Sequence, residues 1–550
     1  MAIGARRLFG ATTILILFCL IVYIFKRQQT TVADERIKTN NIFLPRSNDD
    51  VDDDSHKQQV LRMEPQPVQD FIATKKGAGN PNLLKYIHFD LKGAPPKIAF
   101  YEPFFKFISK LNAGIKGILI EYEDTMPLNG MFNDSINRGG YTHEQIESIQ
   151  TSAKLYNLEV IPLIQTFGHL EWLLKLQKFE KLRDNPLLPM VISPCLPETY
   201  VVLEDLLKQT LNLHPNINTI HIGCDEVSPM NVHPKCRDDN IGNPERYIQH
   251  VRRIVNVILK IRPGMRILIW DDVIRSDQFL EKSTLLNDLK GIVEPVSWYY
   301  SSQFEDQYSS SPIWSIYSKT FTNVWAASAF KGGWKRFSMI TNTTHHVLNN
   351  NQWNLFMQDQ TFRKDKFYAI ILTGWSRFDH FMPICDLFPT AYKSLLSCLY
   401  TLNTGNIVDV TNIIDCNTLV STLGYSNVDC QTLPGTQIWY DVSQLSTLID
   451  RSNEYISFLQ TVAPMYNRQY SFVRPTDLQQ RLFELQAVLS EYQHMYDSLT
   501  QSMSLIYTQD IMQEWLELYY WPPYRAVNQT YQEYQPFTTQ THWPIRPLTK

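Results

Sequence analysis

Several things are missing from this 550-residue chain: a glycine-rich phosphate loop, a CxxC pair, a cysteine and histidine cluster with zinc-ligand spacing, and an EF-hand loop. Their absence argues against a doubly wound nucleotide-binding sheet, a structural zinc site and a calcium loop. No metal or cofactor is expected. An excess of one charge is missing too: 51 Lys plus Arg stand against 55 Asp plus Glu, a net charge of -4. Nucleic-acid affinity is dominated by phosphate and needs a basic face, so a nucleic-acid partner is not expected. Only 21 glycines are present, without collagen periodicity, and a hydrophobic content of 44% rules out a wholly disordered chain. That content suffices for a large core, and the length exceeds what one core of roughly 250 to 300 residues holds.

One long hydrophobic run is present. Leu8 to Phe25 carries no charge and is bracketed by Arg6-Arg7 and Lys26-Arg27. Eighteen apolar residues lie within the range of one helical span. The run ends Tyr23-Ile24-Phe25-Lys26 rather than at a small-residue cleavage site, which favours a retained anchor in a lipid bilayer over a cleaved leader. Residues 28–78, with the acidic run Asp49-Asp50-Val51-Asp52-Asp53-Asp54, have the composition of a solvated stem. The expected organisation is cytoplasmic tail and anchor at 1–27, stem at 28–78, a catalytic barrel at 79–430 and a helical region at 431–550. Sequons at Asn133, Asn342 and Asn528 are usable as glycosylation sites if the bulk of the chain faces the lumen or cell exterior. Beyond Cys19 there are seven cysteines, an odd number, so at least one stays unpaired or bonds between chains; Cys416 with Cys430 is the first pair to test.

Eight short apolar runs rich in β-branched and aromatic residues punctuate residues 84–402: KYIHFDL at 85, GILIEY at 117, LEVIPLIQ at 158, NTIHIGCD at 218, RILIWDD at 266, GIVEPVSW at 291, TNVWAAS at 322 and YAIILTGW at 368. Helix-like stretches lie between them, such as Tyr200 to Leu213 and Pro244 to Ile261, the latter with a stripe of Val251, Ile254, Val255 and Ile258. Eight buried strands alternating with helices predict an α/β fold, a (β/α)₈ TIM barrel. Beyond about residue 430 the pattern turns helical. Leu478, Leu482, Leu485, Leu489, Tyr492, Tyr496 and Leu499 form a seam, with Thr476 as the expected N-cap and Val442, Leu445, Ile449, Ile456 and Leu459 as its partner face; an intermolecular coiled coil and a homodimer are the alternative. The final thirty residues read as irregular.

Active sites of such barrels lie at the carboxyl ends of the strands. Here those ends carry Asp90, Glu121-Tyr122-Glu123-Asp124, Gln165-Thr166-Phe167-Gly168-His169, Asp225-Glu226, Trp270-Asp271-Asp272, Trp298-Tyr299-Tyr300, Trp325 and Trp375. Of the dense acids after the second run, Glu121 is expected inward and at least one other in solvent. Adjacent acids on a strand would diverge, but at a strand terminus the backbone turns and both can lean into one pocket. Close like charges raise one pKa and prepare one group to donate a proton. Six tryptophans fall at or near strand ends, and flat apolar walls suit the C–H faces of a pyranose; for Trp172 and Trp334 a packing role is expected instead. Carboxylate pair and aromatic walls together suggest glycoside hydrolysis.

His221-Ile222-Gly223-Cys224-Asp225-Glu226 resembles the His-x-Gly-x-Asp-Glu signature of the glycoside hydrolase family 20 β-N-acetylhexosaminidases. The segments His88 to Lys97, Ile120 to Asp124, Gln165 to His169 and Thr373 to His380 resemble the hexosaminidase D branch. The resemblance implies an exo-acting, retaining enzyme without a protein nucleophile, in which the 2-acetamido oxygen attacks its own anomeric carbon; the substrate is a glycan with terminal β-linked N-acetylhexosamine. It implies Glu226 as general acid and then base, Asp225 as partner of the acetamido nitrogen, and Tyr299 as holder of the acetamido oxygen. His169 belongs to the supporting network, and Trp270, Trp298, Trp325 and Trp375 wall the acetamide and ring. Asp90, Glu121 and Asp379 are the expected contacts to sugar hydroxyls; where lysosomal members have an arginine after strand one and a Trp-x-Glu near strand eight, this chain offers Asp90 and Lys92, and then Trp375 with Arg377 and Asp379. Such a function implies a single-pass type II membrane glycoprotein with a lumenal or extracellular catalytic domain, in the Golgi or at the cell surface. Two rivals stand beside it: a carbohydrate-binding receptor on an inactive barrel, and a barrel glycosidase with a carboxylate nucleophile.

Overall fold

A computed structural model describes residues 79–358 and 366–548. The expected anchor at residues 8–25 and the stem lie outside the described residues; among those described, no helix is long and apolar enough to cross a membrane.

The eight runs form a closed parallel barrel: β1 Leu84–Asp90, β2 Ile115–Glu121, β3 Glu159–Leu163, β4 Thr219–His221, β5 Arg266–Trp270, β6 Glu294–Trp298, β7 Val324–Lys331 and β8 Phe367–Gly374. Each pairs with its sequence neighbours and β1 closes on β8, so β4 and β8 face each other across the mouth. Helices return the chain between strands: α1 Tyr101–Ser109, α2 His143–Leu155, α3 Pro197–Leu213, α4 Asn243–Ile261, a five-residue turn of helix at Asp277–Glu281, α5 Ile313–Thr320 and α6 Thr343–Gln358, with α7 Tyr392–Thr404 after β8. Thr142 starts α2 with a reciprocal cap, its side chain accepting from the Gln145 amide while Gln145 reaches back. On α4 the expected stripe of Val251, Ile254, Val255 and Ile258 is buried, which is what pins that helix to the sheet.

The interior is filled rather than hollow. Tyr86, Leu119, Ile161, Leu163, Leu268, Trp270, Val296, Trp325, Ala327, Ala369 and Ile371 pack there. Large and small residues are matched: Trp325 lies in register with Ala369 on β8, which leaves room for its indole. The amino-terminal end is sealed by polar pairs, Tyr86 to Glu159 at 2.7 Å and the Trp325 indole N–H to Glu294 at 2.7 Å.

The helical region packs on the barrel. Helices α8 Thr436–Val462 and α9 Pro475–Ile506 pair along the expected seam, with Val442, Leu445, Leu459, Leu478, Leu482, Leu485 and Leu499 buried. A buried Asp441 on α8 accepts from Ser498 at 2.9 Å and Ser502 at 2.8 Å on α9. Two expectations are corrected. Pro475 rather than Thr476 opens α9, because a proline is preorganised for the first turn. The tail is irregular only near its end: α10 Gln509–Trp515 and α11 Trp521–Tyr534 precede it, the latter again opened by prolines at 522 and 523. Cys416 does pair with Cys430, and Cys195 pairs with Cys236. Among the described residues Cys224, Cys385 and Cys398 are free and buried.

Candidate active site

Strand β4 ends at His221, and the residues that follow leave the sheet. Gly223, Cys224 and Glu226 adopt left-handed backbone angles with φ of 68°, 70° and 47°. Only glycine fits at 223, where a Cβ would lie 1.8 Å from Gln165 Oε1, and at 168, where it would lie 2.2 Å from the Asp225 carbonyl oxygen. This turn cancels strand alternation and sends both acids toward His169, which follows β3. His169 Nε2 stands 3.4 Å from Asp225 Oδ2 and 3.1 Å from Glu226 Oε2. From behind, Tyr247 on α4 donates to the Cys224 carbonyl at 3.0 Å, and Thr166 donates to the Ile222 carbonyl at 2.8 Å.

The protonation order departs from expectation. Burial pushes the Asp225 carboxyl up to about 7, with Asp272, Glu226 and Glu121 adding to the push and His169 opposing it. The hydrogen bond from His169 pulls Glu226 below the usual carboxylate range, and half of its side chain meets solvent. His169 itself is raised well above an ordinary imidazole: burial works against its charge, but Asp225, Glu171 and Glu226 outweigh it. In the free protein the raised acid is therefore Asp225 and not the expected proton donor. Asp225 Oδ1 is buried without a hydrogen-bond partner.

After β1 and β2, another wall of the mouth is a buried cluster of ionisable side chains. Lys92 Nζ lies 3.8 Å from Asp90, 3.9 Å from Glu121 and 3.3 Å from Glu123, and 5.4 Å above the Trp375 ring. Glu121 also meets His88 Nε2 at 3.5 Å; although burial raises it, Lys92 and His88 bring its carboxyl down to about 2. Asp90 is committed to the backbone, accepting the amides of Lys92 at 2.9 Å and Ser376 at 2.8 Å. Glu123 and Asp124 are both buried, so the expectation of a solvated acid among Glu121, Glu123 and Asp124 fails. Lys92 and His380, the latter 3.2 Å from Glu123, are its partners, yet burial outweighs Lys92 and pushes the Glu123 carboxyl well above the usual range.

Trp270 and Trp375 line the floor with ring centres 6.2 Å apart, and Trp298 stacks on Tyr300 at 5.2 Å. Three expected assignments are not placed here. The Tyr299 ring stacks on Tyr308 at 4.3 Å, outside the barrel. Alternation explains it: if Trp298 faces the mouth, Tyr299 faces away and Tyr300 returns. Tyr300 is the tyrosine whose environment includes both Asp225 and Glu226. Trp325 is wholly buried at the amino end, because β7 runs six residues beyond it to Lys331. Asp379 turns onto its own loop, accepting the amides of Phe381 at 2.7 Å and Met382 at 3.0 Å. Trp172 is fully buried in the shell.

Residues the site reading passed over also sit here. Asp272 Oδ2 accepts the Glu226 amide at 2.8 Å and its Oδ1 accepts the Trp298 indole N–H at 3.3 Å. Lys92 stood beside Asp90 where relatives have an arginine but was given no contact of its own, and Asp272 had a signal in the Trp-Asp-Asp strand end. Arg377, after β8, is held by both oxygens of Glu514 on α10 at 2.6 Å each and by the Lys92 carbonyl at 2.9 Å. No sequence proximity could have joined Arg377 to Glu514. Among the described residues no group of His, Cys, Asp and Glu is placed to hold a metal ion.

A filled parallel barrel with two carboxylates converging at the end of its fourth strand, beside aromatic walls, defines a barrel glycosidase. The description "Glycosyl hydrolase family 20, catalytic domain" fits residues 124–294. The chain is 30% identical over 451 residues to Hexosaminidase D of Homo sapiens, covering 80% of this chain and 91% of that protein. It is 33% identical over 331 residues to Hexosaminidase D of Bos taurus, covering 59% and 94%. A chitobiase structure from Flavobacterium johnsoniae aligns at 13% identity and a TM-score of 0.45, covering 78% of this chain and 71% of that one. The chain belongs to glycosyl hydrolase family 20, and is a glycosidase of its β-N-acetylhexosaminidase group.

Proposed function

We propose that the protein is an exo-acting, retaining β-N-acetylhexosaminidase that releases terminal β-linked GlcNAc or GalNAc through an oxazolinium intermediate. The observation that carries this reading is the orphaned Asp225 Oδ1, a buried acceptor beside an acid within reach of the same imidazole. A sugar amide N–H is the donor that satisfies it. In the first step the acetamido oxygen bonds to C1 as the C1–O bond breaks and Glu226 protonates the departing oxygen. Asp225 holds the amide N–H and stabilises the positive charge spreading onto that nitrogen, an interaction stronger in the transition state than in the ground state. Glu226 then takes a proton from water, which attacks C1 and reopens the ring with retained configuration.

Substrate binding inverts the acid order of the free protein. The amide N–H favours ionised Asp225, while the sugar displaces water from half-exposed Glu226 and favours its protonated form. Tyr300, in place of Tyr299, is the hydroxyl that holds the acetamido oxygen, between Trp298 and Trp375. The buried cluster of Lys92, Glu121 and Glu123 closes one side of the mouth, after β1 and β2, which supports exo action. Anchoring through residues 8–25 with a lumenal barrel is part of the proposal; the two disulfides suit an oxidising compartment.

The test is the 550-residue chain in detergent on aryl β-GlcNAc and β-GalNAc, wild type against Asp225→Asn and Glu226→Gln, with an aryl β-glucoside lacking the acetamide. Hydrolysis by wild type alone, and none of the glucoside, is expected. Equal rates from all three proteins, or rapid cleavage of the glucoside, would end the proposal.

A further inference from the structure

We propose that Asp272 is a positioning residue of this reaction, its two carboxylate oxygens holding the backbone of the proton donor Glu226 and the indole of Trp298 in one register. Three consecutive strands are thereby tied at the mouth. Asp272 follows β5, Glu226 follows β4 and Trp298 ends β6, and the two bonds measure 2.8 Å and 3.3 Å. The need for a clamp comes from Glu226 itself. Its φ of 47° is a left-handed conformation that a residue with a side chain resists, and a rotated backbone would swing the carboxyl away from the glycosidic oxygen. An ionised acceptor on the Glu226 amide opposes that rotation. The other oxygen of the same carboxylate fixes the indole that faces the acetamide, so proton donor and acetamide wall keep their spacing through one rigid group.

Asp272 feels Arg275, which lowers its carboxyl, but shares no hydrogen bond with it. Arg275 is the adjacent cation, and it is engaged by Asp271 Oδ1 at 2.8 Å and the Trp298 carbonyl at 3.0 Å. The charge of Asp272 instead falls on Asp225, as do those of Glu226 and Glu121, with His169 as the opposing cation and Glu171 and Lys92 behind it. All of these favour or resist the proton on Asp225 together. Removing the Asp272 charge therefore makes Asp225 easier to ionise.

This inference rests on the hydrolase reading above. The test uses kcat, KM and the pH profile of kcat/KM on aryl β-GlcNAc for the wild-type chain, Asp272→Asn, Trp298→Phe and the double variant. In Asp272→Asn an amide either loses the Glu226 contact or points N–H at the indole N–H. A kcat loss of about 10- to 100-fold is expected, with KM changed much less, because the misplacement is felt at the reacting atoms. The limb of kcat/KM near 7, where Asp225 ionises in the free protein, moves to lower pH. In the Trp298→Phe background, which has no indole N–H to oppose, the same substitution costs less than a third of that factor. Trp298→Phe alone keeps the carboxylate while removing a hydrogen bond that lowers it, so its limb near 7 moves down less than that of Asp272→Asn, a readout available even if Asp272→Asn melts early. An Asp272→Asn enzyme within twofold of wild type in kcat, or one whose limb near 7 stays put, overturns the proposal. So does a limb moved as far down in Trp298→Phe as in Asp272→Asn. A wild type inactive on the glycoside would instead sink the hydrolase reading.

Discussion

Replacing His169 with glutamine should move the whole pH profile of this enzyme to higher pH. The imidazolium sits 3.4 Å from Asp225 Oδ2 and 3.1 Å from Glu226 Oε2, so its loss removes a cation from both acids at once. At an effective dielectric of about 20, a unit charge at the first of these distances is worth about 5 kcal/mol, a ceiling of roughly 3.5 pH units. Water entering the vacated space screens most of this and glutamine retains an N–H donor, which leaves about one to two units for Asp225. Glu226 moves less, because its half-exposed side chain is already screened. The sign is the same for both, since a carboxylate that loses a cation holds its proton to higher pH. In kcat/KM, which reports the free protein, the upper limb, set by Asp225 at about 7, therefore rises, and the lower limb, set by Glu226 beneath the usual carboxylate range, rises with it. Measured as kcat/KM on aryl β-GlcNAc from pH 4 to 9, the variant should fall roughly 10- to 100-fold near pH 6 and recover part of the loss above pH 8. A uniform loss with neither limb moved would refute the reasoning and reduce His169 to packing.

Tyr300→Phe should lose kcat by about 10- to 100-fold through the missing acetamide contact, while Tyr299→Phe stays within a few-fold of wild type; equal effects would reverse the assignment made from strand alternation. Glu514→Gln or Arg377→Met breaks a double hydrogen bond between barrel and α10, and a destabilisation of about 1–3 kcal/mol by denaturant melts is expected, with KM rising as the Trp375 loop loosens. Glu121 is held near 2 when folded against 4.5 as its ordinary value, so its contribution to stability is present above about 4.5 and is lost as pH falls toward 2. Melts of Glu121→Gln against wild type should converge as pH falls through that window, and a gap constant with pH would refute it.

Periodicity carried the barrel. Eight apolar runs and the helices between them are local patterns, and each formed the expected element because burial on both faces demands such residues wherever the strand ends. Where a run gave no hint of its end, the reading failed: β7 continues through Ala326 to Lys331, which dropped Trp325 from the mouth to the floor of the barrel. Tyr299 failed for a related reason, since the side of a strand is a matter of phase, and one residue of phase exchanges Tyr299 for Tyr300.

By itself the sequence determined the architecture, the strand end that bears the chemistry, and the pair Asp225 and Glu226, because adjacency in the chain and the fixed polarity of a barrel are enough for that; His169 came in only through the family resemblance. Tertiary structure alone decided the order in which the acids hold their protons, the Lys92 wall, the Asp272 clamp and the bond from Arg377 to Glu514, 137 residues away. Those depend on burial and on distances across the mouth, quantities that a linear pattern of residue types does not contain.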